Sequence, residues 1–361
     1  MPAHTSAQTL ASYKKQIDED IAKYAEYIRG ATAQQYGEFA LLEVETFLDI
    51  LGRGGKRIRG ALVMAGYEMC GGTDTAMILQ AARAIEMLHA YMLIIDDIQD
   101  RSLVRRGKPS AHSLLTAYHG KNKLRGEAAH AGMSLAINSA LAGAHAAQVI
   151  LANLNADQQL RLNALSITNR TMAITVHGQT YDIMNELVHE PNITDIERVL
   201  DWKTAQYSFV NPLHVGMVLA GADCRATDAI TPYGLHLGRA FQIADDSLGI
   251  FGDEQEVGKS PVDDIREGKR TLLMLYALGH TPEVDKEFLA NCLGNADITR
   301  KDFTRCKDII ESSGARSYTQ RLVDDEVAIA VDSLEAGTGL WTKEGTAFLQ
   351  GLAEIIRNRR S

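Results

Sequence analysis

Cysteine is scarce in this chain: Cys70, Cys224, Cys292 and Cys306 are its only four, widely scattered and without CxxC spacing. That excludes a disulfide framework and a thiolate metal site, and it points to a reducing compartment. Long apolar runs are missing too. Stretches such as 91-YMLII-95 fall far short of the roughly 20 residues that a membrane-spanning helix needs, so no membrane span is expected. The opening MPAHTSAQTLASYKK lacks an apolar core segment, so no signal peptide is expected and a cytoplasmic location is. Positive charge is in deficit, with a formal net charge of -9. A chain whose main partner is nucleic acid has the opposite balance. Proline is rare, at seven residues, and no segment alternates apolar and polar residues between turn pairs, which excludes a substantial sheet.

What the chain does have is helical period. In 77-MILQAARAIEMLHAYMLIIDDIQD-100, Ile85, Leu88, Met92 and Ile95 recur at helical spacing. Residues 135–154 are rich in Ala and Leu, both good helix formers. Segments 160–188, 195–221, 231–251 and 300–335 also read as helices. Breaks at 52-GRGG-55, 71-GGTD-74, 107-GKPS-110, 119-HGKNKLRGE-127, 190-EPN-192, 252-GDEQEVGKSP-261 and 336-AGTG-339 are short connectors of the kind found between packed helices. None has the character of an interdomain linker, so the expectation is an all-α, single-domain chain.

Two helical stretches close on acidic clusters. Asp96 and Asp100, four residues apart, project from one face, and His89 lies on nearly the same stripe. Hard carboxylate oxygens at this spacing suit Mg²⁺, which shares its shell with water and substrate phosphates. A second cluster in 241-FQIADDSLGIFGD-253 sets Gln242, Asp245, Gly249 and Asp253 along one side of a helix. Either cluster alone is a modest signal, with a solvated helix end as the bland alternative; the pair is what points to a metal. Helical bundles commonly build metal sites from facing helices of this kind.

Such a metal needs an anion, and the sequence supplies cations to hold one. Residues 54-GGKRIR-59 join two glycines to Lys56, Arg57 and Arg59. Arg105 and Arg106 follow Asp100, and Lys203-Thr204, Gly258-Lys259 and Lys269 come later. Guanidinium groups grip phosphates bidentately, whereas lysine acts as a point charge. GGKRIR is not a Walker loop, since it lacks both that pattern and its strand. These residues together describe an enzyme that handles diphosphates with Mg²⁺ at two anionic subsites.

With GGKRIR (54–59), EMLH (86–89), DDIQDRSLVRRGKPSAH (96–112), GQTYD (178–182), KTA (203–205), FQIADDSLGIFGD (241–253) and GKSPVDDIREGKRT (258–271) in this order, the chain resembles the trans-isoprenyl diphosphate synthases, or polyprenyl synthetases. The resemblance spans roughly residues 50–275. It implies a bundle of antiparallel helices around a deep central cavity, and a homodimer. It implies a Mg²⁺-dependent prenyltransferase that joins isopentenyl diphosphate head-to-tail to an allylic diphosphate (dimethylallyl, geranyl or farnesyl). Asp96, Asp100 and Asp245 would ligate Mg²⁺, about three ions in all. Arg105, Lys203, Thr204, Gln242, Lys259 and Lys269 would complete the allylic subsite. Lys56, Arg59, His89 and Arg106 would bind isopentenyl diphosphate, and Asp97 and Asp246 would support the ligands from behind.

Two features depart from the family's pattern. Gly249 stands where many relatives carry a third aspartate, and the helix after 119-HGKNKLRGE-127 lacks the usual small-residue-plus-aspartate pair. The resemblance also implies that bulk just before the first aspartate stops elongation. Tyr91, Met92, Leu88 and Ile85 would wall the tail's channel; an aromatic at Tyr91 with Met92 beside it looks like the geranylgeranyl (C20) pattern, with farnesyl (C15) the alternative. A packed core aromatic is the plainer reading of Tyr91. A regulatory subunit of a heteromeric synthase would have lost aspartates or the paired arginines, which are intact here. A terpene cyclase would not carry GGKRIR or end its second motif in Gly249. The terminal 356-IRNRRS-361 reads as a solvated tail.

Overall fold

The computed structural model describes residues 3–188, 191–252 and 260–359. Lys259, Gly258 and Asp253 lie outside the described residues. The described residues are almost entirely helical, with one two-stranded hairpin, β1 (Val104–Arg105) paired antiparallel with β2 (Lys108–Pro109), and an isolated bridge between Thr338 and Trp341. The chain groups into two compact units.

The first unit comprises Gln8–Ser166 and Val215–Gly221. It holds most of α1 (Ala3–Tyr36), then α2 (Glu38–Gly52), α3 (Ile58–Met69), α4 (Thr75–Gln99), α5 (Ala111–Lys121) and α6 (Ala128–Ala152). Asp74 starts α4 by accepting a hydrogen bond from the Met77 N–H, the N-cap arrangement that satisfies an orphan donor. The helix is apolar nearly all round, burying Met77, Ile78, Ile85, Met87, Leu88 and Ile94, which marks it as the unit's central helix. It packs against α2, α3 and α6. Over an 18-residue stretch each, α4 and α6 are apolar and long enough to cross a membrane, although neither contains a long uninterrupted apolar run. In α4, 61% of that stretch is buried among its neighbours, as a core helix requires.

The second unit comprises Met1–Ala7, Ile167–His214 and Ala222–Ser361. It holds α7 (Gln158–Leu187) from Ile167 onward, α8 (Ile193–Arg198), a π-helical segment Val199–Val210, the first turn of α9 (Asn211–Leu219) and α10 (Cys224–Phe251). They are followed by α11 (Asp263–Glu267), α12 (Leu272–Gly279), α13 (Glu283–Cys292), α14 (Arg300–Ser312), α15 (Ala315–Ser333) and α16 (Lys343–Arg357). The middle helix α10 packs on the π segment and α15. Its fully buried Tyr233 donates a 2.8 Å hydrogen bond to the Leu349 carbonyl.

Two expected helices are subdivided. Residues 300–335 are α14 and α15, split at Gly314, whose φ of 82° is left-handed and ends the first helix. Residues 195–221 hold the π segment between two α-helical pieces. A π turn shifts hydrogen bonding by one residue without changing composition, so apolar periodicity does not reveal it.

Candidate active site

The first unit carries one group of predicted residues. Asp96 and Asp97 lie in the last turn of α4, and Asp100 caps its end, with the Asp100 N–H bonded to the Asp96 carbonyl at 2.8 Å. Carboxylates at the negative end of a helix dipole are unfavourable unless a cation meets them. Arg105 does so. Its guanidinium donates through Nε to Asp97 Oδ1 at 2.9 Å, binds the same oxygen through Nη2, and reaches Asp96 at 3.3 Å. Asp97 is fully buried, so its role is to anchor Arg105. Burial opposes the charge on Arg105, but Asp97, with Asp96 and Asp100, raises its pKa above the usual arginine value.

Arg106 and Gly107 form the two-residue hairpin turn, with φ of 54° and 70°. Left-handed values at both positions define a type I′ turn, which matches the twist of the flanking strands. Holding an arginine there costs roughly 1–2 kcal/mol. The turn sends the Arg106 side chain back to the Gly54 carbonyl. Gly55, at φ 118°, permits that approach, because a Cβ there would lie 2.8 Å from Arg106 Nη2. Arg59 Nη1 lies 3.2 Å from His89 Nε2. Burial, then Arg59, Arg106, Arg105 and Arg57, push the His89 pKa well below its ordinary value, leaving a neutral imidazole among guanidinium groups. Burial and Arg57 likewise lower the Arg106 pKa. Cations crowded in this way favour an anion. Lys56 is exposed on the same loop.

Arg57, inside GGKRIR, serves differently from its neighbours. Its side chain is 3% exposed and donates to Asp18 (2.8 Å), Glu86 (3.2 Å) and the Leu51 carbonyl (2.8 Å). Glu86 also accepts from the Gly60 N–H at 2.9 Å. This buried ion pair fixes the loop that presents Lys56 and Arg59. Upstream of the aspartates, Leu88 and Met92 are buried and Tyr91 is half-buried.

The second unit carries the other group. Gly178, Asp182 and Glu186 recur every fourth residue along one face of α7. A Cβ on Gly178 would lie 2.4 Å from the Lys203 backbone nitrogen, so glycine lets the π segment come close. Asp182 then accepts from Lys203 at 2.5 Å and from Lys269 at 3.5 Å, while Glu186 meets Lys269 at 2.9 Å. The Thr204 hydroxyl donates to Gln242 Oε1 (2.8 Å), and Gln242 Nε2 donates to Asp246 (2.7 Å). Burial raises the Asp246 pKa well above the carboxylate range; the Gln242 bond opposes this, and Asp264, Asp245 and Asp182 add to it. Arg359 pairs with Asp245 and lies 4.6 Å from the centre of the Phe241 ring, so this part of the expected solvated tail is packed. Asp182 was visible in GQTYD, but its role needed the fold.

Gly249 has a steric reason. A Cβ there would sit 2.1 Å from Asp264 Oδ2, so a third aspartate at this position would force the Asp264 carboxylate to move and set two like charges side by side. Gly249→Asp is therefore expected to lower stability by about 1–3 kcal/mol, through overpacking and like-charge contact. Urea unfolding measures it, and an unchanged midpoint would contradict the steric account.

Metal fit follows from the donors. Asp96, Asp100 and Asp245 offer hard oxygens suited to Mg²⁺. Asp96 and Asp245 each already face a guanidinium, so positive charge is accommodated at both. Among the described residues, no three His, Cys, Asp or Glu side chains group to hold a metal. An ion at either cluster would draw part of its shell from water or substrate oxygens.

A profile described as polyprenyl synthetase matches residues 43–310. The geranylgeranyl diphosphate synthase of Saccharolobus solfataricus is 33% identical over 324 residues, covering 89% of this chain and 91% of that protein. The geranylfarnesyl diphosphate synthase of Aeropyrum pernix is 29% identical over 276 residues, covering 76% of this chain and 80% of that protein. Among solved structures, the geranylgeranyl pyrophosphate synthase from Corynebacterium glutamicum, complexed with isoprenyl diphosphate and magnesium, superposes with a TM-score of 0.91. Its sequence identity is 27%, covering 97% of this chain and 99% of that one.

Proposed function

This chain belongs to the polyprenyl synthetase family, and from that premise we propose how its residues divide the work of a prenyltransferase making short-chain prenyl diphosphates. The observation that carries the reading is the end of α4. There Asp96 and Asp100, with Arg105 tied between Asp96 and Asp97, stand beside the Arg59–His89–Arg106 cluster. One set of groups suits a metal-bridged diphosphate and the other a diphosphate held by cations alone.

The allylic substrate is held through its diphosphate by Arg105, Lys203, Lys259 and Lys269, with Asp96, Asp100 and Asp245 as Mg²⁺ ligands. When bound, Mg²⁺ supplies Lewis-acid stabilisation of charge developing on the leaving diphosphate. Asp182, accepting from both Lys203 and Lys269, keeps the two ammonium groups together. Lys56, Arg59, His89 and Arg106 hold isopentenyl diphosphate. The allylic C–O bond breaks with its electron pair leaving on the diphosphate, where the cations meet the charge. The isopentenyl double bond then attacks the allylic carbon, forming the new C–C bond. A proton is lost to the departed diphosphate, which regenerates an allylic double bond. The Thr204 hydroxyl, which donates to Gln242, would stabilise the cation together with Lys203.

The product is geranylgeranyl diphosphate (C20), made by a cytoplasmic homodimer, and Tyr91 with Met92 and Leu88 limits its length. Tyr91→Ala is expected to shift products to longer chains, and an unchanged profile on chromatography would refute the ruler. Incubation with Mg²⁺, labelled isopentenyl diphosphate and C5, C10 or C15 allylic starters tests the whole reading. No product with any starter overturns it.

A further inference from the structure

We propose that Arg53 is a positioning residue for isopentenyl diphosphate, a strut that sets Arg106 by clamping the hairpin to the GGKRIR loop. The inference rests on the assignment of Arg106 to that substrate. Arg53 follows the last residue of α2, and its side chain is only 2% exposed. Its guanidinium makes three different attachments. It binds Asp49, one turn back, at 2.5 Å; it donates to the Arg105 carbonyl at 2.9 Å; and it donates to the Pro109 carbonyl at 2.7 Å.

The two carbonyls belong to opposite strands of the hairpin, one on each side of the Arg106-Gly107 turn. The hairpin answers in kind, since Arg106 reaches back to the Gly54 carbonyl, next to Arg53. The loop and the hairpin are thus tied reciprocally, with the strained left-handed Arg106 at the centre. Two-stranded ribbons this short do not hold themselves together. Arg105 has a separate tether in Asp97, so loss of the strut falls on Arg106 and not on Arg105.

The test compares wild type with Arg53→Met, which keeps the aliphatic stem and leaves Asp49 40% exposed rather than buried and uncompensated. The expected result is a rise of about tenfold in KM for isopentenyl diphosphate, the scale of losing charged hydrogen bonds. KM for the allylic substrate stays within about twofold, because uniform binding through Arg105 is untouched. Arg53→Lys, which cannot fork to both carbonyls, falls between. Amide hydrogen exchange of residues 103–110 gives an activity-independent readout, with faster exchange expected in Arg53→Met. Unchanged exchange overturns the strut, and faster exchange with an unchanged isopentenyl KM overturns the positioning role. Equal loss on both substrates with a lowered Tm reduces Arg53 to a structural residue. A wild-type protein that consumes no isopentenyl diphosphate rejects the substrate assignment, and the exchange result still decides whether Arg53 holds the hairpin.

Discussion

Asp96→Asn is expected to slow turnover by about a thousandfold or more, roughly 4 kcal/mol of transition-state stabilisation, while leaving the fold intact. The substitution conserves shape and removes one negative charge from the end of α4. Asp96 is partly exposed, at 21% of its side chain, so no buried group loses its partner. Arg105 keeps its two bonds to Asp97. What disappears is a hard anionic oxygen that the proposed chemistry needs for Mg²⁺. Single-turnover kinetics at saturating substrates reports the chemical step, Mn²⁺ binding followed by electron paramagnetic resonance reports the ligand, and circular dichroism reports the fold. Wild-type turnover with unchanged Mn²⁺ affinity would remove Asp96 from the metal site. Asp97→Asn should behave differently. It weakens the buried anchor of Arg105, so stability falls with activity.

Glu86→Leu is expected to cost about 3 kcal/mol of stability or more, the scale of breaking a buried ion pair by removing one partner. Glu86 and Arg57 side chains are each 3% exposed, so the guanidinium left behind cannot recover its hydration. The Gly60 N–H loses its acceptor as well. Asp18 and the Leu51 carbonyl still hold Arg57, which keeps the loss from being larger. The Arg57→Met/Glu86→Leu double variant should be less destabilised than the sum of the single changes, because it removes the uncompensated charge. Urea unfolding with a constant slope measures both. A single-variant loss below about 1 kcal/mol would show that the pair is not structurally important.

Several residues needed no structure to be noticed. Asp96, Asp100, Arg105, Arg106, Lys56, Arg59 and His89 declared themselves by spacing and by charge in an acidic chain. Spacing along one helix is a local property, so α4 carries His89 and its aspartates where the 3.6-residue period puts them. The division of labour within GGKRIR was not legible. Lys56, Arg57 and Arg59 are alike in sequence, yet Arg57 is a buried strut because α1 and α4 bring Asp18 and Glu86 to it. Asp97 and Arg53 also gained their roles from partners elsewhere in the chain.

The sequence by itself determined the helical class and the placement of both acidic clusters towards helix ends, because period and residue type are written locally. Tertiary structure alone decided the π segment under Gly178, the pairing of Asp182 with Lys203 and Lys269, and the approach of Asp264 to Gly249. Each depends on how closely two backbones approach across tens of residues of chain. That distance is set by the packing of whole helices, and no local pattern encodes it.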